Sequence, residues 1–75
     1  MTNNLALEIQ SAFMVEYSIP LTINEVEKFK KVEQLNEAYE SNMYFYVASY
    51  GDFLLIAYAE DEHLIDVSKI VVKEV

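Results

Sequence analysis

Cysteine and tryptophan are absent from this 75-residue chain, and glycine and proline occur once each. Without cysteine there is no disulfide, and zinc–thiolate or iron–sulfur sites are excluded. A secreted domain this small normally carries disulfide staples, so a cytoplasmic location is the expectation. Scarce glycine and proline, with 53% hydrophobic residues, argue against disorder. The opening Met1-Thr2-Asn3-Asn4 lacks the basic region of a signal peptide, and no apolar run reaches the ~18 residues of a membrane span. One soluble domain covering 1–75, with no membrane contact, is expected. There is no glycine-rich phosphate loop, no nucleophile elbow and no internal repeat.

Positive charge is missing from a long stretch. Between Val32 and Asp66 the chain has no Lys or Arg, yet it carries Glu33, Glu37, Glu40, Asp52, Glu60, Asp61, Glu62 and Asp66. Outside that window the acids are balanced by lysines, so the whole net charge of −8 arises there. Such a field repels nucleic acid and steers basic partners, or else simply keeps the domain in solution.

What is present centres on Met43 to Ala59, two β-rich runs about the chain's glycine. A Gly51-Asp52 loop suits a II′ turn, or I′ with Asp52 also at positive φ. Pairing across it sets Tyr50 opposite Phe53, Ala48 opposite Leu55, Tyr46 opposite Ala57 and Tyr44 opposite Ala59, all on one face. Met43, Phe45, Val47 and Ser49 share the other with Leu54, Ile56 and Tyr58. Both faces are apolar. The aliphatic face with Phe45 reads as core, whereas the tyrosine face awaits a cover, either the chain's own N-terminal segment or another strand, or a partner.

Before the hairpin, residues 4–19 show both helical and alternating spacing. A short helix over Asn4–Gln10 followed by a strand over Phe13–Ile19 is the preferred reading, with one bent strand as competitor. Thr22-Ile23-Asn24-Glu25 then spells a capping box, with Leu21 and Val26 placed for a hydrophobic staple. Phe29, Val32, Leu35 and Tyr39 predict that this helix continues to Ser41-Asn42, with Glu33, Glu37 and Glu40 on its outer side. After a charged connection at Glu60–His63, Leu64–Val67 reads as a short strand or a helical turn, and Ser68–Val75 as a final strand. The fold class is α+β: one main helix on a three- or four-stranded, mainly antiparallel sheet built around the hairpin.

Chemistry has little to work with. His63 is the single histidine, and the acids around it match no ligand spacing and lack an EF-hand glycine, so no metal, cofactor or catalytic group is assigned. Binding offers more. Glu33, Glu37, Glu40, Glu60, Asp61 and Glu62 are expected to gather at one end of the sheet, beside an aromatic set of Tyr44, Tyr46, Tyr50 and Phe53. A ridge of that kind imitates a phosphate backbone.

The segment Tyr17-Ser18-Ile19, Pro20-Leu21-Thr22-Ile23, Asn24-Glu25-Val26-Glu27 resembles the strand-to-helix segment of phage uracil-DNA glycosylase inhibitors, a small, acidic, DNA-mimicking family. Tyr17 stands where that pattern has Glu, with Glu16 one place earlier, and the likeness stops at Glu27. The resemblance implies a non-enzymatic inhibitor or adaptor docking on a basic protein, for instance a nucleic-acid enzyme. The alternative from the residues alone is a structural or homo-oligomeric protein, such as a homodimer, that associates through the tyrosine-rich hairpin face or its sheet edges.

Overall fold

The computed structural model describes residues 1–33 and 43–72. Two helices and four strands follow in the order α1 (Asn3–Tyr17), α2 (Ile23–Glu27), β1 (Lys30–Glu33), β2 (Met43–Tyr50), β3 (Phe53–Glu60) and β4 (His63–Val71). The strands form one antiparallel sheet in sequence order, β1-β2-β3-β4. The α+β class and the central hairpin are as the sequence predicts, and the main helix is a different one.

Residues 4–19 are neither helix-then-strand nor one bent strand. A single helix runs from a Thr2 cap, whose hydroxyl accepts from the Leu5 N–H at 3.2 Å. Leu5, Ile9 and Phe13 fall four apart and, with Ala6, are buried. The alternation that suggested a strand included Leu7 and Val15, which are 54% and 80% exposed. Ser18 closes the helix at φ 56°, and the amides of Ser18 and Ile19 return to Met14 O and Phe13 O at 3.1 and 3.2 Å. Tyr17 is therefore the last helical residue, not strand, which removes the structural basis of the likeness to the inhibitor segment.

The capping box at Thr22 forms with both of its hydrogen bonds, 2.9 Å from the Thr22 N–H to Glu25 and 3.1 Å from the Glu25 N–H to Thr22. Those contacts hold the Glu25 carboxyl below its ordinary value, the Thr22 backbone amide contributing most. Leu21 and Val26 are both buried. Yet α2 stops at Glu27. Lys30–Glu33 leave the expected helix and pair with the outer edge of β2, Lys30 opposite Val47 and Glu33 opposite Tyr44. Helix propensity differs by only tenths of a kcal/mol per residue, whereas an apolar hairpin edge left without a neighbour exposes a row of unpaired backbone groups. Leu35, Glu37, Ala38, Tyr39 and Glu40 lie outside the described residues.

The β2–β3 register matches the sequence reading pair for pair, from Tyr50–Phe53 to Tyr44–Ala59. Gly51 has φ 58° and Asp52 stays at negative φ, the II′ pattern. The charged connection after Glu60 is a two-residue turn with Asp61 and Glu62 both at positive φ, 50° and 67°. Beyond it, the two short pieces expected are one nine-residue strand, β4, with a bulge opposite Tyr58/Ala59. At its far end the Val72 N–H donates to Asp52 O at 2.9 Å.

Both helices lie on the same side of the sheet, and they choose the face that was expected to await a cover. Tyr46, Leu55, Ala57, Ala59 and Val67 form the sheet's contribution to the core, against Leu5, Ala6, Ile9, Phe13, Val26 and Phe29. The assignment of Met43, Phe45, Val47, Leu54, Ile56 and Tyr58 to the core is thereby reversed. Ala57 and Ala59 supply the reason: their short side chains let a helix lie close, and large ones would hold it off. Glu8 accepts from the Leu64 N–H at 2.8 Å and Gln10 donates to Leu21 O at 2.8 Å, which orients α1 on the sheet.

Candidate functional site

Antiparallel registration arranges the face away from the helices in rows across the strands, with Met43 and Glu60 paired at one end and three fuller rows beyond them. Val32, Phe45, Tyr58 and Asp66 make the first, Lys30, Val47, Ile56 and Ser68 the second, and Ser49, Leu54 and Ile70 the third. The phase is fixed by the buried Tyr46, Leu55, Ala57 and Val67, which alternate with these positions. Phe45, Val47, Leu54, Ile56 and Tyr58 are half-buried. None of them packs against the hydrophobic core. Phe45 and Tyr58 stack directly across the hairpin, ring centroids 4.9 Å apart. Val32 and Ile70, on the outer strands, are 43% and 47% exposed.

An apolar surface edged by polar residues departs from the polar solvent face that an antiparallel sheet ordinarily shows. Its border is Lys30 on β1, Asp66 and Ser68 on β4, and Glu60 at the end of β3, all exposed.

The aromatic residues expected to meet a partner sit on the other face. Tyr46 is 3% exposed, its ring taken up by the core beneath the helices, and burial raises its hydroxyl above the ordinary tyrosine pKa. Tyr44, Tyr50 and Phe53 pack against the same core from its margins. Lysines cover two of them: Lys31 Nζ lies 3.7 Å from the Tyr44 ring centroid, and Lys69 Nζ lies 4.6 Å from that of Phe53.

Of the acidic set, Glu60, Asp61 and Glu62 are exposed at the β3–β4 turn. Glu62 Oε2 accepts from the Thr2 N–H at 3.2 Å, where α1 begins. Glu33 falls at the same end of the sheet by register, opposite Tyr44, which pairs with Ala59. Glu37 and Glu40 lie outside the described residues. The clean separation of charge along the sequence is softened in space, because pairing with β2 brings Lys31 to this end.

His63 Nδ1 stands 4.0 Å from Glu8 Oε1 on the open surface. Among the described residues no three His, Cys, Asp or Glu side chains gather as a metal site, and no helix is long and apolar enough to cross a membrane. A cleft of about 540 Å³ lies where β1 begins beside α2, lined by Leu21, Glu25, Lys28, Phe29, Val47 and Tyr50.

Among the described residues, those that the sequence reading assigned to the interior are thus the ones outside the core beneath the helices. Alanines at 48, 57 and 59 on one side of the hairpin are the signal that identifies the helix-facing side. Comparison with known proteins adds nothing to the geometry: no family model, curated protein or solved structure matches the chain.

Proposed function

We propose that this protein is a non-enzymatic binding module whose working surface is the bare face of its sheet. The observation that carries the reading is the row of Phe45, Val47, Leu54, Ile56 and Tyr58, large apolar side chains that neither helix touches. Burying such side chains yields about 25 cal/mol for each Å² removed from water, which a protein partner can supply and solvent cannot. Substituting Ile56→Lys at the centre of the face abolishes association with any partner that uses it. Leu7→Lys, an exposed position on the outer side of α1, leaves that association intact. Binding unchanged by Ile56→Lys removes the reading.

A second reading rests on Glu60, Asp61 and Glu62, exposed together at one end of the sheet with Glu33 alongside by register. In that reading the acidic end docks on a basic protein, such as a nucleic-acid enzyme, as a phage-type DNA mimic does. Its signature is an affinity that falls with salt, because surface charge is screened within about 8 Å at physiological ionic strength. Replacing Glu60, Asp61 and Glu62 with their amides weakens such a complex by at least tenfold. An unchanged affinity excludes it.

A further inference from the structure

We infer that the bare face is occupied by a second copy of this chain, giving a face-to-face dimer with the helices outermost. The inference rests on the binding-face reading above and names its partner. Three observations point to a copy rather than to a basic protein.

The first is charge. Of a net −8 on the chain, only Lys30, Glu60 and Asp66 among the charged described residues stand at strand positions of this face, so these positions sum to almost no net charge. A basic partner finds little there to pair with, whereas an apolar, near-neutral surface suits its own duplicate.

The second is self-complementarity. Lys30 lies on the first strand of the sheet and Asp66 with Ser68 on the last. Sheets that pack face to face keep their strands within about 30° of one another. A two-fold axis roughly along the strands then lays β1 of each copy over β4 of the other. Lys30 is carried to the Asp66–Ser68 edge, and the symmetry makes that contact twice.

The third is size. Strands of four, eight, eight and nine residues, spaced about 4.8 Å apart and rising about 3.3 Å per residue, present roughly 460 Å². Two such faces bury about 900 Å², in the range of weak, transient protein interfaces. The domain is a slab of 34 × 33 × 19 Å, and stacking two brings the short dimension level with the others. The dimer is therefore of modest affinity and concentration-dependent.

Sedimentation equilibrium on the full chain from about 1 μM to 1 mM, in low and high NaCl, tests this. The expected result is a monomer–dimer equilibrium that tightens as salt rises, because two polyanions are being brought together. Ile56→Lys is expected to weaken the dimer at least 100-fold, while Leu7→Lys leaves it unchanged. Lys30→Asp is expected to weaken it about tenfold, and the double variant Lys30→Asp with Asp66→Lys to restore it. Circular dichroism confirms that each variant folds, with Val47→Lys replacing Ile56→Lys if that chain does not. A wild-type monomer at every concentration, or a dimer indifferent to both Ile56→Lys and Val47→Lys, overturns the inference. A fluorescent hydrophobic dye separates the two levels. A monomer whose dye binding is lost in Ile56→Lys has an open face and retains the binding-module reading. A monomer that binds no dye has a covered face, and both fall.

Discussion

Tyr46 shows how one side chain carries both packing and pH response. Its ring is enclosed beneath the helices. Desolvation raises the hydroxyl's pKa, Lys31 opposes that shift, and Glu62 and Tyr44 reinforce it. In the unfolded chain the group ionises at about pH 10. Between that value and the higher folded one, the folded protein retains a proton that the unfolded chain has lost. Stability is therefore full below about pH 10 and falls as the pH climbs through the folded value. Tyr46→Phe removes this part of the alkaline slope, and urea titrations at pH 8 and pH 11 measure the difference. Ser18 is a second informative residue. It occupies the left-handed region at φ 56°, where a side chain is strained. Ser18→Gly is expected to stabilise the fold by up to about 1 kcal/mol, read as a higher urea midpoint at unchanged slope.

At the scale of elements, the two tight turns differ in how openly the sequence announces them. Gly51-Asp52 is a recognised hairpin signal, and every pair of the β2–β3 ladder follows from it. An alanine Cβ at Gly51 meets no atom within 4 Å, so the expected effect of Gly51→Ala is backbone strain alone. It amounts to about 1 kcal/mol and is measurable by thermal unfolding. Asp61-Glu62 makes an equally tight turn without glycine or asparagine, and for that reason its strand was read as two pieces. Tertiary contacts compensate there, with Glu62 reaching the start of α1. The same cause explains the other differences. The capping box at Thr22 was legible because it is local. The length of the helix behind it was not, because the edge of β2 claims Lys30–Glu33. Two apolar hairpin faces were legible from alternation, but which one is covered depends on where α1 lies, and α1 itself was masked by an accidental alternation through Leu7 and Val15.

For the molecule as a whole, charge and shape act against each other. A slab 34 Å across with a net charge of −8 experiences its own repulsion over its full width at 0.01 M salt, where the screening length is about 30 Å. At 0.15 M that length is about 8 Å, so added NaCl is expected to raise the melting temperature as well as to favour pairing of copies. Calorimetry at both ionic strengths checks the sign. An unchanged or lowered melting temperature would mean that local ion pairs outweigh the general repulsion.

The contacts of α1 with β4 join the two ends of the sequence: Thr2 meets Glu62 and Glu8 meets Leu64. During synthesis α1 leaves the ribosome before all four strands, and the strand it needs is the last of the four to emerge. Neighbouring strands can zip up in order as they emerge, but Leu5, Ile9 and Phe13 stay without their β4 contacts until Leu64 and Val67 have cleared the exit tunnel. Ribosome-stalled chains ending before β4 should therefore be degraded by protease as loose polypeptide, and resistance should arrive in one step once that strand is out.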